Sequence, residues 1–353
     1  FPIAVGGEIY YAEGVESLSA NMAECHPTIM TAVPRLYEVL HQKIMAGVLK
    51  AGVLKKAMFE KTLELGRKKY ETGRLGPIET IIDIILDKLV RDKVRGRFGG
   101  RLKALVSGGA PLNPEIGIFF NALGLRILQG YGQTESAPLI SVNRAPDARL
   151  NTVGRPVINT EVKIAEDGEI LVRGELVMMG YWNNEEATRD TVRDGWLYTG
   201  DIGKFNENGH LLITDRKKDI IVNSGGDNIA PQRVEGILIA EQELSQAMVY
   251  GDKRPNLVAV FVPDADWLTI WKRENKKKGD LTELANDKEL HMAMAPALGR
   301  VNKSLSNIEK VRRFIIANEP FSVENHQMTP TMKVRRHIVR DVYEDRLEAL
   351  YKK

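Results

Sequence analysis

The sequence predicts two architectures in succession: the C-terminal part of a large wound α/β domain carrying a small β-barrel subdomain, then a separate, mobile α+β C-terminal domain. Three observations carry this expectation. Short apolar strands at Leu102–Val106 and Leu125–Leu128 each run into a glycine-bearing loop, as wound sheets do where they place ligand loops at the carboxyl ends of their strands. Between Val153 and Thr214 the helical period vanishes and turn signals recur, which suits a small barrel or folded sheet. A knot of five charges, Asp215 to Asp219, then marks a boundary. The expected division is 1–150, with a basic helical insert at 46–98, then 151–215 and 216–353.

In chain order, Pro27 to Val33 reads as a buried strand, and Pro34 opens a helix with Leu36, Tyr37, Leu40 and Ile44 on one face. A basic helix is expected over Leu54–Tyr70, and Gly73 to Pro77 form a turn. Ile78, Ile81, Ile82, Ile85, Leu86 and Leu89 then recur at helical spacing, predicting a helix from Pro77 to about Arg95. A further helix follows from Pro114 to Ala122. Glu161–Ile164 and Glu169–Arg173 flank Glu166-Asp167-Gly168 as a hairpin, with later turns at Asp194-Gly195 and Asn206–Gly209. Beyond the charged knot, Ser224-Gly225-Gly226 makes a turn and Pro231 starts a helix reaching about Glu241. Ala247–Tyr250 and Leu257–Val262 pair as strands. Lys272 to Asp280 is a polar loop, Val311–Ala317 is a strand, and an amphipathic helix ends the chain near Leu350.

The totals narrow the function classes. A chain of 353 residues, 43% hydrophobic and 27% charged, is neither disordered nor fibrous and has length for more than one core. Its net charge of +3 does not suggest a nucleic-acid partner, but Lys50 to Lys103 holds 15 Lys and Arg against 7 Asp and Glu. That hairpin is either a solvated face packed on the main domain or a patch for an anionic membrane surface. The single cysteine, Cys25, excludes an internal disulfide and fits a cytoplasmic location, peripheral at the inner membrane face if the patch is used. No apolar run approaches the roughly 20 residues of a membrane span. The opening FPIAVGGEIYY has no signal-peptide pattern and reads like a domain interior, so an earlier part is expected to be missing.

The chemistry concentrates in Leu125 to Ser136, LRILQGYGQTES. Glycines permit tight turns, an aromatic face stacks on a planar base, a hydroxyl donates to phosphate, and a carboxylate is a hard ligand for Mg²⁺. An ordinary polar turn accounts for these residues equally well. Asp201, in YTGD between apolar strands, either caps a turn or grips hydroxyls.

Taken in order, SGGAP (107–111), QGYGQTE (129–135), YTGD (198–201), DRKKD (215–219) and TPTMK (329–333) resemble the ANL adenylating enzymes, and the basic insert is most similar to the long-chain fatty acyl-CoA synthetase branch. The resemblance covers essentially the whole chain. It implies ATP-dependent conversion of a long-chain fatty acid to an acyl-adenylate and transfer to coenzyme A, with ATP or AMP, Mg²⁺ and coenzyme A bound. On it, Tyr131 stacks on adenine, Thr134 donates to the α-phosphate and Glu135 holds Mg²⁺. Gln129, Gly130 and Gly132 shape the same loop, and Gly109, Ala110 and Pro111 line the adenine and the inner acyl tunnel. Asp201 accepts from the ribose hydroxyls, Ile213 flanks the nucleoside, and Arg216 supports ribose and phosphate. Lys333 meets the charge that builds during attack, Lys218 is the hinge, and Ser224, Gly225 and Gly226 face the pantetheine arm.

Two departures stand against it. The Ser/Thr/Gly-rich loop ending in lysine, which wraps the outer phosphates in the family, has no counterpart in these residues, so this polypeptide alone is expected to be inactive. Asp227 stands where Lys or Glu is more usual. The alternatives are a ligase that loads a carrier protein and a non-catalytic binding module; association into homo-oligomers stays open.

Overall fold

The computed structural model describes residues 2–14, 16–329 and 332–352. Its chain folds as two compact units, 1–158 and 159–353.

In the first unit, α1 (Leu18–Cys25) precedes β1 (Ile29–Ala32), and α2 (Pro34–Leu49) follows with proline at its first position, where the missing N–H costs no bond. The insert is a helical hairpin: α3 (Val53–Thr72), then α4 (Pro77–Leu86), which continues through a π-helical turn, Asp87–Arg91, into α5 (Asp92–Arg97). After β2 (Ala104–Ser107) come α6 (Pro114–Ala122), β3 (Ile127–Tyr131), β4 (Ser141–Val142) and β5 (Arg155–Pro156). These strands lie in the order β1-β2-β3-β4-β5; the first three are parallel and the last two antiparallel. Tyr37, Phe98, Phe119 and Phe120 pack edge to face beneath them, and the Tyr37 hydroxyl donates to the Val106 carbonyl at 2.9 Å.

The hairpin departs from the simple amphipathic picture. Leu86 is buried, but Ile78, Ile81, Ile84 and Ile85 are 51–74% exposed. The inward face instead carries charge. Glu79 accepts from Lys68 at 2.6 Å, Asp83 meets Arg91 at 2.7 Å and Lys69 at 3.5 Å, and Asp87 meets Arg95 at 2.7 Å. Arg91, 6% exposed, also donates from Nε to the Ala122 carbonyl at 2.6 Å. Buried charges persist because each finds a partner.

In the second unit, β6 (Thr160–Ile164) and β7 (Glu169–Gly174) form the expected hairpin. After α7 (Glu185–Thr191), β8 (Val192–Arg193), β9 (Trp196–Phe205) and β10 (Leu211–Arg216) complete a curled antiparallel sheet ordered β10-β9-β7-β6, with β8 on β9. A short pair, β11 (Ile221–Val222) and β12 (Asn228–Ile229), leads to α8 (Pro231–Leu238). Then β13 (Leu244–Tyr250), β14 (Leu257–Pro263) and β15 (Val311–Ile316) build a three-stranded sheet covered by α9 (Ala265–Glu274), α10 (Leu281–Leu284), α11 (Lys288–Ser304) and α12 (Arg336–Ala349). Two readings change here. The loop expected at Lys272 begins after Glu274, because α9 runs that far. Helix α11 is an addition: Leu290, Met294, Ala297, Leu298 and Val301 are buried at helical spacing, but Pro296 interrupts the pattern in the sequence.

Candidate functional site

In the first unit the register aligns Ser107 with Gln129, so SGGAP and QGYGQTE leave the carboxyl ends of adjacent parallel strands. Gly109 and Pro111 are exposed and Ala110 is half-buried, while the Ser107 hydroxyl is buried without a hydrogen-bond partner among the described residues. Gln129 turns inward, and its amide donates to the Leu150 carbonyl at 2.6 Å, bracing the strand. Gly130 pairs with Val142, and Tyr131 is 8% exposed. Gly132 is demanded by packing: a Cβ there would lie 1.6 Å from the Pro138 carbonyl oxygen. The loop then closes as a 3₁₀ turn over Thr134–Ser136, in which the Gln133 N–H donates to Ser136 Oγ at 3.1 Å. Thr134 stays exposed and Glu135 half-buried.

In the second unit, alternation along β9 buries Thr199 and Asp201 on one face. Asp201 is 8% exposed, and its Oδ1 accepts from Arg216 Nε at 2.9 Å, the two residues being opposite in the β9–β10 register. A β-bulge between Ile213 and Asp215 precedes this pair, leaving Ile213 half-buried opposite Gly203 and Thr214 exposed. The Lys333 ammonium is held below its usual range, first by desolvation and then by the Arg216 guanidinium, while Asp201 opposes the shift. Arg216 and Asp201 therefore lie within electrostatic reach of Lys333, which is itself exposed. A turn presents Lys333: its N–H donates to Thr329 Oγ1 at 3.1 Å, its carbonyl accepts from the Thr329 N–H at 2.8 Å, and Met328 bridges Val334. Pro330 and Thr331 of the same motif lie outside the described residues.

Lys218 is exposed, two residues beyond Arg216. Ser224, Gly225 and Gly226 form the exposed tip between β11 and β12, and the Ser224 N–H donates to the Arg254 carbonyl at 3.0 Å. Asp227 has a local role: Asn223 Nδ2 donates to its Oδ2 at 3.0 Å, and Asn223 Oδ1 accepts from the Gly225 and Asp227 N–H groups at 2.8 and 2.9 Å. Asn223 was not singled out in the sequence, although an Asn before Ser-Gly-Gly is itself a turn signal.

The sequence reading placed Asp215 in the charged knot but gave it no role of its own; it is 4% exposed. Its Oδ1 accepts from the Arg216 N–H at 2.6 Å, while Oδ2 has no hydrogen-bond partner among the described residues. Burial pushes its carboxyl up to about 7; Asp219 and Glu235 add to the rise, and the Arg216 N–H and Arg336 oppose it. Glu235 on α8 is tied to Arg336 on α12, whose Nη2 donates to the Val249 carbonyl at 2.6 Å.

Among the described residues no group of three or more His, Cys, Asp or Glu is arranged to hold a metal ion, and no helix is long and apolar enough to cross a membrane. The architecture defines the class, that of adenylation domains. An adenylation domain of a carboxylate reductase from Mycobacterium chelonae superposes with a TM-score of 0.72 at 25% identity, over 99% of this chain and 50% of that one.

The chain belongs to the AMP-binding enzyme family, whose model matches residues 1–182; the model of the AMP-binding enzyme C-terminal domain matches 218–353. It is 36% identical over 346 residues to the long-chain-fatty-acid–CoA ligase FadD15 of Mycobacterium bovis, covering 97% of this chain and 58% of the relative. Against long-chain-fatty-acid–CoA ligase 6 of Homo sapiens it is 33% identical over 366 residues, covering 98% of this chain and 51% of that protein. The chain therefore spans little more than half the length of these relatives.

Proposed function

We propose that the chain provides the nucleotide-binding and C-terminal parts of an enzyme that activates a long-chain fatty acid and passes it to coenzyme A. One observation carries this reading. Arg216 binds the Asp201 carboxylate, and the Lys333 ammonium within electrostatic reach of both is lowered first by desolvation and then by Arg216. An arriving phosphate anion relieves that repulsion, so the corner favours a nucleotide monophosphate over a neutral ligand.

The residues take the following parts. In the first unit, Tyr131 stacks on adenine, Thr134 donates to the α-phosphate, and Gly109, Ala110 and Pro111 line the adenine and the inner end of the acyl tunnel. Glu135 fits Mg²⁺, an ion commonly held by one or two carboxylates together with substrate phosphates, which neutralises phosphate charge when bound. In the second unit, Asp201 accepts from the ribose hydroxyls with Ile213 beside the nucleoside, and Arg216 supports ribose and phosphate. Lys333 stabilises the charge that develops as the carboxylate oxygen attacks the α-phosphorus and pyrophosphate leaves. In the second half-reaction the coenzyme A sulfur attacks the acyl carbon and AMP leaves, with Ser224, Gly225 and Gly226 toward the pantetheine arm after rotation about Lys218.

Lys333→Met tests this reading in the full-length protein. Palmitate-dependent pyrophosphate release is expected to fall about 10²–10³-fold, while thioester formation from supplied palmitoyl-adenylate falls less than about tenfold. Equal losses in both halves, or no loss in the first, would overturn the assignment. Transfer to a phosphopantetheinyl protein in place of free coenzyme A would mark the carrier-loading alternative.

Contact with an anionic membrane surface is favoured by one further observation. The exposed isoleucines of α4 are followed along the chain by Lys88 and Lys93, which are exposed and pair with no acid among the described residues.

A further inference from the structure

We propose that Glu169 and Lys217 are positioning residues for the Asp201 carboxylate, closing a ring of bonds around the peptide that presents it. The inference rests on the reading that Asp201 accepts from ribose hydroxyls.

Gly200, immediately before Asp201, has φ +70°, a left-handed conformation inside an otherwise extended strand. Such a kink needs its peptide groups satisfied off the regular ladder. Both are held by this pair. The Gly200 N–H donates to Glu169 Oε1 at 2.8 Å, and the Gly200 carbonyl accepts from the Lys217 N–H at 2.8 Å. The ring closes because Lys217 Nζ donates to Glu169 Oε2 at 2.9 Å. Asp167 Oδ2 takes a second bond from the same ammonium at 2.5 Å, and these two acids raise the affinity of Lys217 for its proton. From the neighbouring side, the Thr199 hydroxyl donates to the Ile170 carbonyl at 2.7 Å and accepts from the Asp201 N–H at 3.1 Å.

The unequal burial of the pair argues for this role. The Glu169 side chain is 7% exposed, so its carboxylate is desolvated and cannot stay unpaired without cost. Lys217 is 47% exposed, and an ion pair with so wet a partner adds little to stability. What the pair does accomplish is geometric. It fixes Gly200 from both sides and holds Lys217 next to Arg216, whose Nε binds Asp201. The peptide leading into the ribose carboxylate is thereby set by groups that do not touch the ligand.

The test is the binding of AMP and of 2′,3′-dideoxy-AMP to the 353-residue chain, measured by calorimetry for the parent, Lys217→Met, Lys217→Arg and Glu169→Gln. The parent is expected to prefer AMP. Lys217→Met and Glu169→Gln are expected to weaken AMP about 3- to 10-fold, the dideoxy nucleotide less than twofold, and the double variant no more than either alone. Lys217→Arg, which can still reach both acids, restores the preference. General loosening of the fold would weaken both nucleotides together. A Lys217→Met chain that keeps the parent's preference overturns the positioning role and leaves the ribose reading standing; a parent with no preference overturns both. If Glu169→Gln does not fold, the half-exposed Lys217 carries the comparison.

Discussion

Two regions of this molecule bury charge, and they use it in opposite ways. In the helical hairpin Asp83 and Asp87 pair with Arg91 and Arg95, and Glu79 with Lys68, while isoleucines face outward. Beside the kink of β9 at Gly200, Glu169 and Lys217 also satisfy each other, but their ring supports a carboxylate that binds Arg216 and lies within electrostatic reach of Lys333. The hairpin spends its polar groups on holding itself and leaves an apolar surface for a neighbour. The β9–β10 corner keeps polar capacity for a small anion. Buried charge alone does not mark a ligand site; the distinguishing feature is whether the cluster is balanced internally.

Three measurements break or sharpen that contrast. The largest effect is expected for Arg91→Met in the hairpin, which strips Asp83 of its closest partner and the Ala122 carbonyl of its donor. Breaking a buried pair from one side costs about 3–5 kcal/mol, readable in urea unfolding; a loss under about 1 kcal/mol would show that the pair behaves as a surface one.

Next comes Asp215→Asn, the contrary case, in which a buried acid is under-compensated. Its carboxyl is raised to about 7, so between the unfolded value near 4 and that point the native chain keeps a proton that the unfolded chain has released. The stability this contributes is complete below about pH 4 and is lost as pH rises to 7. The asparagine variant keeps an acceptor for the Arg216 N–H without the charge. Relative to their difference at pH 4, it is expected to become more stable than the parent by up to about 4 kcal/mol at pH 8. A difference that does not change with pH would refute the shift.

The smallest effect on stability is expected for Ile81→Ser with Ile85→Ser. Substitution on a free surface changes stability by about 0.5 kcal/mol or less, while salt-sensitive co-sedimentation with phosphatidylserine vesicles is lost. A cost of several kcal/mol would show that the face is packed.

The sequence made some of this legible for clear reasons. Pro34, Pro77, Pro114 and Pro231 each stand at the first position of a helix, and the Glu166-Asp167-Gly168 turn joins β6 to β7 in the expected register. The isoleucine period announced a helix but not which face was covered, because that depends on the charges of α3 opposite. Helix α11 was hidden by Pro296. The bond between Glu169 and Lys217 spans 48 residues, and only the β7-β9-β10 order brings them together. No spacing rule along the chain reports such a pair. Asp201, Arg216 and Lys333 could be named from the resemblance, whereas Asp215 and Asn223 became visible only once the neighbouring strands were in place.

The π-helical turn at Asp87–Arg91 makes the hairpin a matter of counting. Residues four apart on a regular α-helix drift by about 40° around its axis, so a row such as Asp83, Asp87, Arg91 and Arg95 would slide out of line within a few turns. A wider turn in the middle takes back that drift. Deleting one residue from this segment would let the wide turn tighten to the ordinary period with the helix beyond it facing as before, whereas inserting one would swing everything after it by about 100°, carrying Arg95 away from Asp87. An insertion or deletion at Gly73–Gly76 only alters the length of a loop. An insertion about three to four turns later would instead rotate much of the inner face of the hairpin toward its outer one.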